Sequence, residues 1–194
     1  MNDKVVRLEK LVLASSSPRR AEILNAVGWT FSTIAANVDE TRAKSEDAVT
    51  YVKRLALSKA QAVARRLSSG LVLGADTVVV IDGEILGQPR DPRDARRMLM
   101  LLRGKWHEVF TGVALVRLEE TTRFLVEHEV TRVRFSEMSE AEVDWYVSTG
   151  EPMNKAGAYA IQGKAALFIQ EIQGDYFNIV GLPVRLVYAL SQRI

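Results

Sequence analysis

The stretch LVLASSSPRRAEILNAVG, residues 11–28, constrains this chain more than any other. Leu11 to Ala14 reads as a short buried strand, the serines as a turn, and the rest as a helix with Ser17 at its N-cap and Pro18 at its first position. Arg19 and Arg20 then fall in the first helical turn. That is the wrong end for cations, because a helix N-terminus carries about +0.5 charge and unpaired N–H groups. An anion lying over that end reverses the sign. Backbone donors, serine hydroxyls (Ser16 among them) and a guanidinium fork together make a phosphate cradle. The plainer reading is a solvated arginine pair after a loop. The preceding strand favours the anion, since ligands of α/β sheets sit beyond strand C-termini.

Composition narrows the class. With 194 residues, 47% of them hydrophobic, the chain suffices for one sizeable core or two small lobes sharing one. No run of about 18 apolar residues marks a membrane span, and no charged-then-apolar start resembles a signal peptide. The absence of cysteine excludes disulfides, thiolate catalysis and Cys-bound zinc, and fits a reducing, cytoplasmic setting. His107 and His128 are too few for a histidine metal cluster. A net charge of +2 with scattered basic residues suits a phosphate ligand but predicts neither a nucleic-acid footprint nor a membrane partner.

Along the chain, an extended stretch from Trp29 to Ala35 leads into the acidic loop Asn37–Glu40. The spacing predicts a long helix from about Asp47 to Leu67, with Ser45 or Asp47 near its start and Val52, Leu55, Ala56 and Val63 on its apolar stripe. Lys59 falls on the same stripe, where it either snorkels or reaches into a phosphate site. In LVLGADTVVVIDGEILGQPRD, residues 71–91, Leu71–Leu73 and Val78–Ile81 are strand-like, and Asp82-Gly83 is a hairpin turn. Asp76 and Thr77 interrupt the apolar run. A carboxylate there needs a cation, a metal or backbone donors, and a site role outweighs a strand-end cap. Asp91-Pro92 opens another helix, Trp106–Arg117 and Phe124–Phe135 read as paired strands, and Ser139 with Glu142 forms a capping box. Residues 151–182 read as short strands joined by turns at Gly163 and Gly174, and Pro183 opens a last helix. The alternation predicts an α/β class with a mixed sheet.

The segments LASSSPRRAEIL, GADTVVV, GEILGQPRD, HEVFTGVAL, GEPMNKAGAYAIQG and GDYFNIVGLP span nearly the whole chain. In that order they resemble the Maf family of nucleoside triphosphate pyrophosphatases. The resemblance implies a single domain over residues 1–194. Its fold would be inosine-triphosphatase-like: a twisted mixed sheet flanked by helices, with two lobes and a cleft. It also implies a divalent metal, Mg²⁺ or Mn²⁺, and frequent homodimers. GADT, AIQG and Arg19 resemble the branch acting on dTTP and UTP rather than the branch acting on 7-methyl-GTP. By that likeness Asp76 is the catalytic carboxylate, and Arg19, Thr77 and Gln162 are tied to substrate choice. Two positions depart from the family pattern: Gln88 stands where lysine is common, and Asn154 where aspartate is frequent.

Cleavage between the α- and β-phosphorus atoms needs neutralised charge, a positioned water and a group that activates it. The expectation gives neutralisation to Arg19, Arg20, Lys59 and the metal, with Glu40 and Asp76 as the metal's carboxylates. Taken alone, Glu40 also reads as a solvated loop acid. Asp76 either takes the proton from water or holds the metal. Gln162 can serve both the O4 and the N3–H of a pyrimidine, and Thr77 adds a hydroxyl. The competing expectations are a nucleotide-binding regulator of septum formation with little turnover, which Gln88 favours, and a nucleic-acid binder. Against the latter, Trp29, Trp106 and Trp145 lie far apart and read as core or lobe-interface residues.

Overall fold

A computed structural model describes residue 8, residues 10–43 and residues 45–194. Strands and helices alternate in the order β1 (Leu11–Leu13), α1 (Pro18–Ala26), β2 (Phe31–Thr33), α2 (Ala48–Ala64), β3 (Gly70–Ile81), β4 (Glu84–Leu86), α3 (Pro92–Leu102), β5 (Trp106–Leu118), β6 (Arg123–Phe135), α4 (Glu140–Ser148), β7 (Ile169–Gln173), α5 (Tyr176–Val180) and α6 (Val184–Ser191). Among the described residues the strands make a seven-stranded mixed sheet, ordered β2-β1-β3-β5-β6-β7 with β4 on β3. β1 is parallel to β2 and β3, while β4 and β7 run antiparallel to β3 and β6. No helix among the described residues is long and apolar enough to cross a membrane.

Local chemistry fixes the element ends. Asp47 accepts from the Thr50 N–H at 2.7 Å and Asp91 from the Asp94 N–H at 2.8 Å, each satisfying an orphan donor of the helix it starts. Ser139 and Glu142 form the expected reciprocal box. Asp82 and Gly83 take φ of 49° and 80°, the left-handed pair that a two-residue hairpin between β3 and β4 requires.

Two expectations change. Asp76 and Thr77 do not break the strand: β3 runs through them for 12 residues. Its side chains are buried on both faces, so an apolar run can carry one acid without losing its ladder. Residues 151–182 are mainly helical turns, with 3₁₀ segments at Ala156–Ala158 and Lys164–Phe168, then β7 and the short α5. Their N–H groups close on acceptors three residues back, as in Ala158 to Lys155, Gly163 to Ala160 and Ala166 to Gly163. Asn154, Gly157 and Ala158 all have positive φ, which prevents extension. Short apolar runs have no periodicity that separates strand from helical turn.

The chain divides into two units, one reaching through Asp76 and including Thr111–Glu129 and Gly181–Ile194, the other Thr77–Phe110 and Val130–Val180. In the first, α2 lays Ala56, Ala60 and Val63 against Val12, Val72, Ala114 and Val116. In the second, Leu99, Leu102, Val143 and Tyr146 join Val79, Val109, Phe135 and Tyr159 in a separate core. Trp29 is buried, as expected, but Trp145 is 44% exposed despite lying on α4.

Candidate active site

A close backbone approach delivers Asp76 to its partners. Gly74 stands two residues earlier on β3, so both point to the same face. A Cβ at Gly74 would overlap the Ala56 carbonyl oxygen and lie 2.8 Å from the Ala60 nitrogen. Gly112 on β5 plays the same part against the Val52 backbone. Helix α2 therefore rides over the strands with no side chain between them, which only glycine permits. Lys59, between Ala56 and Ala60, is left facing Asp76.

The Lys59 ammonium lies 2.6 Å from Asp76 Oδ1 and 2.7 Å from Glu40 Oε1. Lys59 and Asp76 are both buried, and the Glu40 side chain is 57% exposed. Snorkelling does not describe this lysine; it bridges two acids. Arg20 completes the group from α1. It is buried, donating from Nε to the Gly181 carbonyl at 2.8 Å and from Nη1 to Ser15 Oγ at 3.1 Å, and its charge couples to both Asp76 and Glu40. Burial pushes the Asp76 carboxyl above the ordinary carboxylate range, against the opposing pull of Lys59 and Arg20. A buried acid with a raised pKa, held beside two cations, is suited to accepting a proton.

The loop bearing Glu40 is fastened to α2. Tyr51 donates its hydroxyl to the Glu40 carbonyl at 2.8 Å. Arg54 grips the Glu46 carboxylate from Nε at 2.7 Å and Nη2 at 2.8 Å, and reaches the Thr41 carbonyl at 3.1 Å. Tyr51 and Arg54 are three residues apart on one helix face, a signal present in the sequence but unread without knowing what that face meets. The Gly181 carbonyl had no sequence signal at all.

Of the residues expected in the site, Glu40, Lys59, Asp76 and Arg20 come together. Arg19 is partly buried and sits beside Glu22; burial lowers its pKa and Glu22 opposes that. Ser16 is exposed, whereas Ser15, one residue earlier, is buried and holds Arg20. Ser17 caps α1 by position only, without a side-chain bond; its N–H donates to Ser15 Oγ at 3.2 Å. Thr77 follows Asp76 on β3 and so projects from the opposite face. Gln162 is exposed in the second unit, on the turn between the two 3₁₀ segments.

Glu40 and Asp76 are also the residues placed to hold a divalent ion. Each gives one oxygen to the Lys59 ammonium, so a divalent ion would take their other oxygens. Among the described residues no cluster of three or more acidic or histidine side chains forms a closed cage. Two carboxylates with the remaining positions left to water and phosphate is the donor set magnesium takes in nucleotide sites, so the residues fit.

Comparison with known proteins decides the family. The family model described as Maf-like protein matches residues 10–194. The chain belongs to the Maf family. A protein of Symbiobacterium thermophilum named dTTP/UTP pyrophosphatase is 53% identical over 186 residues, covering 95% of this chain and 94% of that protein. One of Bacillus cytotoxicus with the same name is 49% identical, with 95% and 96% covered. The Ham1 protein of Staphylococcus aureus matches this Maf chain in fold with a TM-score of 0.55 at 13% identity, over 95% of this chain and 99% of that one. A HAM1 protein of Coxiella burnetii does so with the same score at 15% identity. The mixed α/β fold with its twisted sheet is thus shared with these two proteins.

Proposed function

We propose that this chain hydrolyses dTTP and UTP to the nucleoside monophosphate and pyrophosphate, with Asp76 as the proton acceptor. The observation that carries the reading is the buried Asp76 carboxylate, bonded to Lys59 and coupled in charge to the buried Arg20 of α1. The names of relatives at about half identity over nearly the full chain support the substrate choice. They also favour turnover over a purely regulatory role.

Water forms a new P–O bond, the α–β anhydride P–O bond breaks, pyrophosphate leaves, and one water proton passes to Asp76 Oδ. Burial raises the proton affinity of that oxygen, and Lys59 and Arg20 oppose the rise. The same two cations and the α1 N–H groups offset the charge that develops on the phosphoryl oxygens. A divalent ion held by Glu40 and Asp76 would add charge neutralisation and acidify water.

The test is pyrophosphate release from a panel of common and modified triphosphates with Mg²⁺ or Mn²⁺. Preference for dTTP and UTP is the expected result. Binding without release from any of them would instead mark a nucleotide-dependent regulator.

A further inference from the structure

Residues 34–43 lead from β2 towards α2 without regular secondary structure, and most of them are exposed. Many backbone conformations are open to such a stretch, and holding it in one is entropically costly. Yet the Glu40 carboxylate stands at one point, 2.7 Å from the buried Lys59 ammonium. An exposed loop keeps a side chain so placed only where its backbone is held.

Tyr51 and Arg54 of α2 do the holding. They donate to consecutive carbonyls, Tyr51 Oη to that of Glu40 at 2.8 Å and Arg54 Nη2 to that of Thr41 at 3.1 Å. Each carbonyl lies in a rigid peptide plane, and the first plane contains the Glu40 Cα, so these bonds place the root of its side chain. The Thr41 N–H closes on Asp39 Oδ1 at 2.8 Å, a turn with Glu40 at its centre. The donors are themselves fixed. Arg54 grips the Glu46 carboxylate with a two-pronged fork, and its Cζ lies 5.5 Å from the centroid of the Tyr51 ring. The Glu46 side chain is only 6% exposed and also accepts the Ala43 N–H at 3.3 Å; the bond from Arg54 holds its carboxyl below the ordinary value.

The Arg54–Glu46 pair would by itself tie the loop to the helix. The further donors fall on the backbone of Glu40 and Thr41, while the Glu40 carboxylate is left to face Lys59 and, through it, Asp76. That distribution suits aiming an acid rather than only closing a loop. All these groups belong to the first unit.

We propose that Tyr51 and Arg54 are positioning residues for Glu40. They aim its carboxylate at Lys59 and keep the Glu40–Lys59–Asp76 arrangement assembled for hydrolysis, a role that rests on reading this arrangement as the hydrolytic site.

The experiment measures kcat and KM for dTTP at one fixed Mg²⁺ concentration in the full chain. The variants are Glu40→Gln, Tyr51→Phe, Arg54→Lys and Arg54→Met, with Tyr51→Phe and Arg54→Met also combined with Glu40→Gln, and thermal unfolding checks that each is folded. Tyr51→Phe should lower kcat by roughly 3–10-fold, the range of one lost hydrogen bond. Arg54→Met should lower it by roughly 10–100-fold, as for partners that orient the ligands of a site. Arg54→Lys keeps the charge but not the fork and should fall with Arg54→Met. KM should move less than about twofold, because the loss lies at the reacting centre. In the Glu40→Gln background both substitutions should lower kcat by less than about a further twofold, since residues acting through one group are not additive. Full multiplicative losses in that background would show a merely structural clamp and overturn the proposal. A fully active Arg54→Lys, or a rise in KM with kcat unchanged, would overturn it too. If Glu40→Gln lowers kcat while the folded Tyr51 and Arg54 variants do not, the positioning role fails and the hydrolytic reading stands. If the parent protein turns over dTTP and Glu40→Gln does so equally well, the proposal alone fails. If the parent releases no pyrophosphate, the hydrolytic reading fails and the proposal with it.

Discussion

Replacing Lys59 by methionine isolates the electrostatic arrangement on which the site depends. Methionine keeps most of the aliphatic stem and removes the ammonium from between Glu40 and Asp76. At 2.6 Å the gross attraction to Asp76 is about 6 kcal/mol for an effective dielectric of about 20. Desolvation of the ammonium offsets part of it, and breaking a buried pair by removing one partner costs about 3–5 kcal/mol. Glu40 is largely exposed and adds little. Asp76 can escape the cost by taking a proton, and burial has already raised its carboxyl. Without Lys59 it rises further. A carboxyl raised in the folded state contributes stability below its unfolded pKa, and that contribution is lost as pH rises through the folded value. The stability deficit of Lys59→Met should therefore be largest near pH 8 and shrink towards pH 5. In a chain of this length 1 kcal/mol corresponds to about 2–4 °C, so the gap in Tm at pH 8 should be on the order of 10 °C. Thermal unfolding of both proteins across that range measures it. A gap that stays constant or widens on the acid side would refute the reasoning.

Other outcomes follow from the same geometry. Asp76→Asn should lower kcat by roughly 10²–10⁴-fold while nucleotide binding by calorimetry survives; near-normal turnover with the metal bound would remove Asp76 from its role. In the parent enzyme the acid limb of kcat/KM should lie above the ordinary carboxylate range, since burial raises Asp76; a limb below it would contradict that. Arg20→Lys cannot serve the Gly181 carbonyl and Ser15 hydroxyl with a planar fork, and should cost about 1–3 kcal/mol in denaturant unfolding together with a higher KM for triphosphate. Gly74→Ala should destabilise by about 1–3 kcal/mol and lower kcat, because its methyl must push α2, and Lys59 with it, away from β3; a stable, active variant would show that α2 is not held at backbone contact.

Much of the site was legible in order but not in company. The SPRR turn named a cation-rich helix start, and Asp76 stood out as an acid within apolar sequence. Which arginine meets that acid was not legible. Arg19 and Arg20 are identical in type and adjacent, and helical geometry turns them about 100° apart, so only the packing of α1 chooses Arg20 for the buried side. The same limit explains Ser15 over Ser16. It also explains the 3₁₀ turns of residues 151–182, where glycine-rich apolar runs suit either backbone.

By itself the sequence determined the alternation of strands and helices, the caps at Asp91 and Ser139, the Asp82-Gly83 hairpin and the residue types available to a phosphate site. These are set within a few residues by dihedral preference and local hydrogen bonding. The tertiary structure alone decided that Lys59 bridges Glu40 and Asp76, that Arg20 binds the Gly181 carbonyl 161 positions away, and that Tyr146 and Glu151 accept the N–H groups of Ala160 and Ala165. Those pairings join residues far apart in the chain. The Lys59 bridge exists because strand alternation and two glycines let α2 settle onto bare backbone, a consequence of packing that no local pattern encodes.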